Sequence, residues 1–376
     1  MITRNLSNIT IHQFRGLKEL ELKDLGQINL LVGVNNSGKT SVLEALSIYC
    51  DPTDLKSWIN AARQREDSRI PTIEALMWLF NKELLDMVGI SISSDGNFAI
   101  KKLRALCEGI EAVFSPKKKQ QFVHMNTLVD DGEGDDQSLE EEVRKGLELQ
   151  IDLYGSQLTI FAEQDRIFSE KYQLWENDFL LSKKSTKKEF KLPISTVTPT
   201  SHRLNIGQIH LLSEASLYNF KSDVLDLINQ MDQDILDIEI LIPPGSRINI
   251  YIQHKKLGLV PLSLFGDGVR RLLHIALKLA SVKGGILLID ELEATIHTEA
   301  LQTSFQWLSK WSKEMNVQIF ATTHSLEAID SLLAVNDESL DLVLYRLEPK
   351  ENQMKVVRHD WSRLKRLREN LGMEVR

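Results

Sequence analysis

The spacing of apolar positions changes along the chain, and each change predicts an element. Asn8 to Phe14 alternates apolar and polar residues, and so does Leu20 to Leu25, the pattern of strands that bury one face. Arg15-Gly16 marks a turn between them. Ile28 to Val32 is a continuous apolar run that predicts a short buried strand, and Ser41 to Leu46 carries the spacing of a helix. Two strands ahead of this strand-helix unit differ from a simple Rossmann opening and predict a mixed sheet beside the core.

Between about Asp54 and Ile242 the pattern is less regular. Ile73 to Phe80 reads as helix; Gly89 to Ser93 and Phe98 to Ile100 read as strands around the turn Ser94 to Asn97. Leu147 to Tyr154 and Gln157 to Phe161 predict a hairpin about Gly155-Ser156. Ala215 to Met231 has helical spacing, and Asp234 to Ile240 alternates as a strand. Two apolar runs, Gly285 to Ile289 and Val317 to Thr322, fit strands buried on both faces. Ser325 to Ala334 predicts a helix, Leu340 to Arg346 a strand, and Trp361 to Leu371 a basic helix. The expected organisation is α/β in three parts, residues 1–53, an inserted α+β region 54–242, and 243–376.

Composition narrows this picture. The 376 residues are 42% hydrophobic and 26% charged, as in a globular protein with a full core. No apolar run reaches membrane-spanning length, and Met1 to Leu6 lacks a signal-peptide core, so the expectation is a cytoplasmic protein without a membrane partner. A net charge of −8 argues against a surface that coats nucleic acid. Cys50 and Cys107 stand apart, without zinc-ligand spacing, and are expected to be ordinary buried thiols. The acidic run Asp130 to Asp136, with Glu140 to Glu142, misses the spacing of a calcium loop and reads as a solvated loop. Lys183 to Lys188 is a basic turn, either solvated or a DNA contact. The cations Arg363, Lys365, Arg366 and Arg368 near the end read either as a contact for DNA or a partner or as a solvated helix.

The candidate chemistry lies in three places. Gly33-Val34-Asn35-Asn36-Ser37-Gly38-Lys39-Thr40 fits the phosphate-loop pattern at every constrained position, with the strand before it and the helix after it that the motif needs. The glycines let successive N–H groups from Gly33 through Asn35, Asn36, Ser37, Gly38 and on to Ser41 face phosphate oxygens. Lys39 reaches the β- and γ-phosphates, and Thr40 takes a Mg²⁺ position. The alternative is a chance Gly-rich turn. Asp290-Glu291 ends the second apolar run, where Asp290 can hold Mg²⁺ and Glu291 can orient or deprotonate the attacking water. His324 stands at the polar tip of the next buried strand.

In this order the chain resembles the ABC-type ATPases, and more closely their OLD-like, non-transporter branch, the AAA-family ATPases of phage defence. The motifs carrying the resemblance are Ile11-His12-Gln13-Phe14-Arg15-Gly16-Leu17, the loop with Leu43-Glu44-Ala45-Leu46, Ile289-Asp290-Glu291-Leu292-Glu293 with His297, and Ala321-Thr322-Thr323-His324-Ser325. They cover about residues 1–48 and 245–330. The resemblance implies ATP and Mg²⁺ as ligands, with His324 as the switch histidine. It also implies a homodimer that sandwiches ATP between one subunit's loop and the other's signature motif. Ser263-Leu264-Phe265-Gly266-Asp267-Gly268 occupies the signature position but departs from Leu-Ser-Gly-Gly-Gln. Ser263, Gly266 and Gly268 are the expected contacts, and Asp267 is expected to pair with Arg270, Arg271 or a metal. Val197 to Ser201 stands where the family's glutamine loop is expected, without a glutamine. Arg15 resembles the arginine that SMC-type heads place near the nucleotide; the other reading is an exposed turn residue.

The stretch after His324 leaves no room for the Toprim nuclease of the OLD enzymes, so the expectation is an ATPase that does not cut DNA. Its partner would be a separately encoded effector such as a nuclease. The competing readings are a RecF-like DNA-repair ATPase and, given the altered signature, a degenerate ATP-binding scaffold.

Overall fold

The computed structural model describes residues 4–64, 70–80, 89–114, 142–155, 166–175, 190–203, 205–245, 247–335, 341–350 and 353–376. The acidic run from Asp130 to Glu141, the segment Gln157 to Phe161 and the basic turn Lys183 to Lys188 lie outside them.

Two six-stranded sheets carry the architecture. The first is antiparallel throughout its described pairs. It orders β2 (Leu17–Leu22), β1 (Asn8–Phe14), β4 (Gly89–Asp95), β5 (Lys102–Phe114), β6 (Glu142–Tyr154) and β7 (Arg166–Trp175). Its strands alternate buried and less buried positions, so one face packs inward, which an antiparallel sheet tolerates and a parallel one rarely does. The second sheet orders β15 (Gln353–Asp360), β14 (Leu342–Lys350), β3 (Ile28–Val32), β13 (Gln318–Thr322), β12 (Ile286–Ile289) and β8 (Ile194–Val197). It is parallel from β14 to β8, with β15 as an antiparallel edge. The mixed sheet is therefore the core sheet and not the lobe beside it. Every residue of β3, β12 and β13 is buried, as expected for strands covered on both faces.

Alternate residues of the core sheet serve two hydrophobic cores. Ile286, Leu288 and Phe320 face one that includes α1 (Lys39–Cys50), α2 (Leu55–Arg63), α3 (Thr72–Met77) and the inner face of the antiparallel sheet. Leu287, Ile289, Ile319 and Ala321 face the other, built from α4 (Asn205–Leu217), α5 (Lys221–Asn229), α6 (Asp267–Ser281), α7 (Thr298–Glu314) and α8 (Leu326–Leu333). A small sheet of β9 (Ile235–Leu241), β10 (Asn249–His254) and β11 (Gly258–Pro261) borders this second core, and α9 (Trp361–Lys365) follows β15. The α/β organisation expected of an ABC-type P-loop head is present, with an antiparallel lobe in place of the mixed one the sequence predicts.

Several elements differ from the sequence reading. The Ala215 to Met231 helix is two helices, broken at Tyr218 to Phe220, where Asn219 takes a left-handed φ of 56° that no helix continues. Phe98 to Ile100 is irregular, and the strand starts at Lys102. Of the two cysteines, Cys50 is buried and Cys107 only half-buried, both free. Arg15 is no exposed turn residue: its Nε lies 2.9 Å from the fully buried Glu44 carboxylate of α1, and its other nitrogens donate to the Ala61 and Trp78 carbonyls. Those partners tie the β1–β2 turn to α1 and α2.

One buried group makes a pH prediction. His274, inside α6 and 4% exposed, finds no hydrogen-bond partner for either ring nitrogen among the described residues. Burial pushes its pKa down to about 3, helped by Lys278, His202 and Arg271. The unfolded chain takes up this proton below about pH 6.5 and the folded chain does not, so this stability is complete above that pH and is lost as pH falls toward 3. The expected contribution is a loss of about 2 kcal/mol between pH 7 and pH 5. Urea unfolding at the two pH values should show this difference shrinking in His274→Leu; an equal acid sensitivity in both chains would refute it.

Candidate nucleotide site

Three adjacent strands bring the sequence motifs together. Because β3, β13 and β12 run parallel and side by side, their carboxyl ends lie on one edge of the sheet, where open α/β sheets hold ligands. The Gly33–Thr40 loop leaves β3, Asp290-Glu291 leaves β12, and Thr323-His324 leaves β13.

The loop is shaped for close approach. Gly33 has φ 145°, and a Cβ there would sit 2.6 Å from the Leu347 carbonyl; Gly38 has φ 84°, and its Cβ would meet Leu17 Cδ2 at 2.6 Å. Both positions need glycine. Gly38 caps α1 without a side-chain hydrogen bond, so the first N–H groups of the helix stay available to an anion. Val34, Asn35 and Asn36 are exposed, Ser37 and Ser41 are buried, and Asn36 is left-handed. Lys39 is folded back on the loop. Its ammonium donates to the Gly33 and Val34 carbonyls at 2.9 Å each, and lies 3.4 Å from Ser37 Oγ. Burial lowers its pKa, and the Asp290 charge partly offsets that.

Thr40 Oγ1 lies 3.4 Å from both carboxylate oxygens of Asp290. A hydroxyl facing a carboxylate is an all-oxygen donor set, which fits Mg²⁺ better than softer metals. Thr322 then sets the β12 tip: its Oγ1 donates to Asp290 Oδ1 at 2.6 Å and accepts the Glu291 N–H at 2.8 Å. Glu291 is left-handed, φ 53°, with an exposed side chain. Arg271 holds the same turn from behind, its Nη2 donating to the carbonyls of Asp290 (3.0 Å) and Glu291 (2.5 Å) and its Nη1 to that of Thr198 (2.9 Å). The guanidinium is fully buried; burial lowers its pKa to about 10, against the opposing charges of Glu291, Glu293 and Asp290. His324 is exposed at the β13 tip, its N–H donating to Glu293 Oε1 at 3.0 Å.

Sequence reasoning missed Arg271 and Thr322 as builders of the site. Arg271 does not pair with Asp267; that carboxylate is held by Arg203, Arg270 and buried His202. Ser263 lies in a 3-10 turn, Gly266 caps α6 and Gly268 is in its first turn. Ser263 and Gly266 are exposed, and among the described residues no hydrogen bond joins any of the three to the loop of the same chain. Val197 to Ser201 starts on the last residue of β8 and has its Thr198 carbonyl on Arg271. Of the four terminal cations, Arg368 is committed to Asp330 and the Met373 carbonyl.

Asp232, Asp234 and His254 also gather within reach of one another. His254 Nδ1 there accepts the N–H groups of Lys256 and Leu257, which leaves the proton on Nε2 facing Asp232 at 3.2 Å, so no lone pair points at a metal.

Residues 5–221 match the AAA ATPase domain model, and residues 115–330 match the model described as "AAA domain, putative AbiEii toxin, Type IV TA system". The chain belongs to the AAA ATPase domain family. This AAA-domain chain is 22% identical over 343 residues to an ATP/GTP phosphatase of Helicobacter pylori, covering 87% of each. It is also 22% identical over 370 residues to the DNA replication and repair protein RecF of Rickettsia canadensis, covering 87% of this chain and 96% of that one. Among solved structures, an SMC head bound to the C-winged helix domain of ScpA is similar at 11% identity and a TM-score of 0.48, covering 94% of this chain and 98% of that one. Among the described residues no helix is long and apolar enough to cross a membrane.

Proposed function

We propose that this chain is an ABC-type ATPase of the OLD-like kind, an ATP-closed homodimer that governs a separate effector, such as a nuclease, in cytoplasmic defence against phage. The observation that carries the ATPase reading is the meeting of Lys39, Thr40, Asp290, Glu291 and His324 on one sheet edge. Glu291 is the general base, Asp290 and Thr40 would hold the Mg²⁺, and His324 would contact the γ-phosphate. The metal, when bound, neutralises charge on the phosphates. Lys39 leaves the Gly33 and Val34 carbonyls for the phosphate oxygens, which its flexible stem permits. The dimer reading rests on the signature position, where Ser263 and Gly266 are exposed and, with Gly268 in the first turn of α6, would serve the partner's nucleotide. The defence reading rests on the motif resemblance and on the AbiEii-type description of the matching family.

The test is sedimentation and phosphate release with and without ATP and Mg²⁺. A dimer that forms only with ATP, together with measurable turnover, is the expected result; a monomer that binds ATP without hydrolysing it would support the scaffold reading instead. A second reading, a RecF-like DNA-repair ATPase, is favoured by the similarity to RecF along most of the chain. ATP-dependent binding to gapped DNA, with phage protection unaffected by Lys39→Ala, would select it.

A further inference from the structure

The core sheet has an open edge at β8. Residues of this strand alternate between facing β12 and facing away, and the carbonyls of Pro193 and Val197 are the ones that accept from Ile286 and Asp290 of the β12 side. The N–H and C=O groups of Leu192, Ile194, Thr196 and Thr198 therefore point outward. At the two ends that edge is occupied: Leu192 N–H donates to the Cys50 carbonyl at the end of α1, and the Thr198 carbonyl takes Arg271. Between them, Ile194 and Thr196 have no backbone partner on the outer side among the described residues.

This free edge opens into a groove of about 770 Å³ between α1, α2 and α6. Its charge runs against that of the molecule. The chain carries a net −8, yet among the described residues the groove is lined by Arg63, Arg203 and Lys278 and by no carboxylate, with hydroxyls and amides making up most of the remainder. Arg203 is paired with Asp267, and Arg63 reaches Thr72. The Lys278 ammonium, on α6, has no hydrogen bond or ion pair among the described residues, and burial lowers its pKa. A half-buried ammonium without an anion is a costly arrangement that an incoming carboxylate would relieve.

We propose that the β8 edge takes an extended, acidic segment of a partner protein as an added strand, its backbone pairing with Ile194 and Thr196 and a carboxylate side chain reaching Lys278. A peptide fits this edge better than nucleic acid does. Ile194 and Thr196 each offer a donor and an acceptor at strand spacing, and a peptide backbone answers both, whereas phosphate answers only donors. Polar lining and a short free edge set the added strand at about four residues, matching the length of β8.

The experiment uses the full chain, immobilised, and an acetylated octapeptide library with every position randomised. Selected peptides are then measured by fluorescence polarisation. Acidic residues should be enriched at alternate positions. Thr196→Pro, which removes one outward N–H on an edge strand that tolerates proline, should weaken binding at least tenfold, and Lys278→Glu likewise. Both variants should keep the far-ultraviolet spectrum and thermal midpoint of the parent. Hydrogen exchange provides an independent readout, with the Ile194 and Thr196 amides slowed at least tenfold by a bound peptide. The proposal is overturned if no acidic peptide is enriched, if selected peptides bind Thr196→Pro as well as the parent, or if a twenty-nucleotide oligothymidine displaces them and itself depends on Lys278.

Discussion

Glu291→Gln should lower ATP turnover by about a hundredfold to ten-thousandfold, the range for loss of a positioned general base, while nucleotide binding stays within a few-fold of the parent. The substitution is informative because of how the turn is held. The Glu291 N–H is bound by Thr322 and its carbonyl by Arg271, so the left-handed backbone does not depend on the side chain, and glutamine keeps the same length and shape. What disappears is one negative charge and the capacity to accept a proton. If ATP closes a dimer, stalled hydrolysis should also leave the dimer populated long after mixing with ATP and Mg²⁺. Phosphate release, equilibrium nucleotide binding and sedimentation measure the three effects. Unchanged turnover would remove Glu291 from the role of base, and loss of binding would mean that the turn had collapsed.

The parts of this site visible in the sequence are those whose geometry is local. The phosphate loop depends on two glycines, a lysine and a helix start within a few residues, and β3, Gly38 and α1 stand where that pattern puts them. Asp290 and Glu291 are legible for the same reason, as carboxylates at the end of a strand too apolar to lie anywhere but inside. β1 likewise spans the residues that alternate.

Elements set by distant partners were not legible. The sequence Gln353 to Asp360 mixes charged and apolar residues without a clean period, and it is a strand because eight consecutive register pairs with β14 hold it there. β8 is too short to announce itself and is fixed by β12. Arg270 and Arg271 look alike in sequence, two cations at a helix start. One turns to Asp267 and the other runs under the β12 turn, a difference that only the packing of α6 against the sheet decides.

Arg271→Met should therefore be among the most damaging single changes in the chain, for stability and turnover together. Removing a fully buried guanidinium leaves the Asp290 carbonyl without its donor and takes one donor each from the Thr198 and Glu291 carbonyls, which keep Ser201 and the Ala294 N–H. A buried acceptor left without a donor costs about 1–3 kcal/mol, the two weakened carbonyls add to it and relief of the guanidinium's own burial offsets part of it, leaving an expected loss of about 2 kcal/mol in urea unfolding. The kinetic signature separates this from a general weakening. The Gly33–Thr40 loop makes no contact with Arg271 through the hydrogen bonds described above, so KM for ATP should hold. The Glu291 turn loses its rear anchor, so kcat should fall at least tenfold, equivalent to about 1.4 kcal/mol of transition-state stabilisation. Arg271→Lys should recover only part of either effect, because a single ammonium cannot span three carbonyls as the planar fork does. A variant that lost stability but kept kcat would make Arg271 a brace for the fold alone. Equal loss of kcat and nucleotide affinity would mean that the turn and the phosphate loop move together through Asp290, which faces both Thr40 and Thr322.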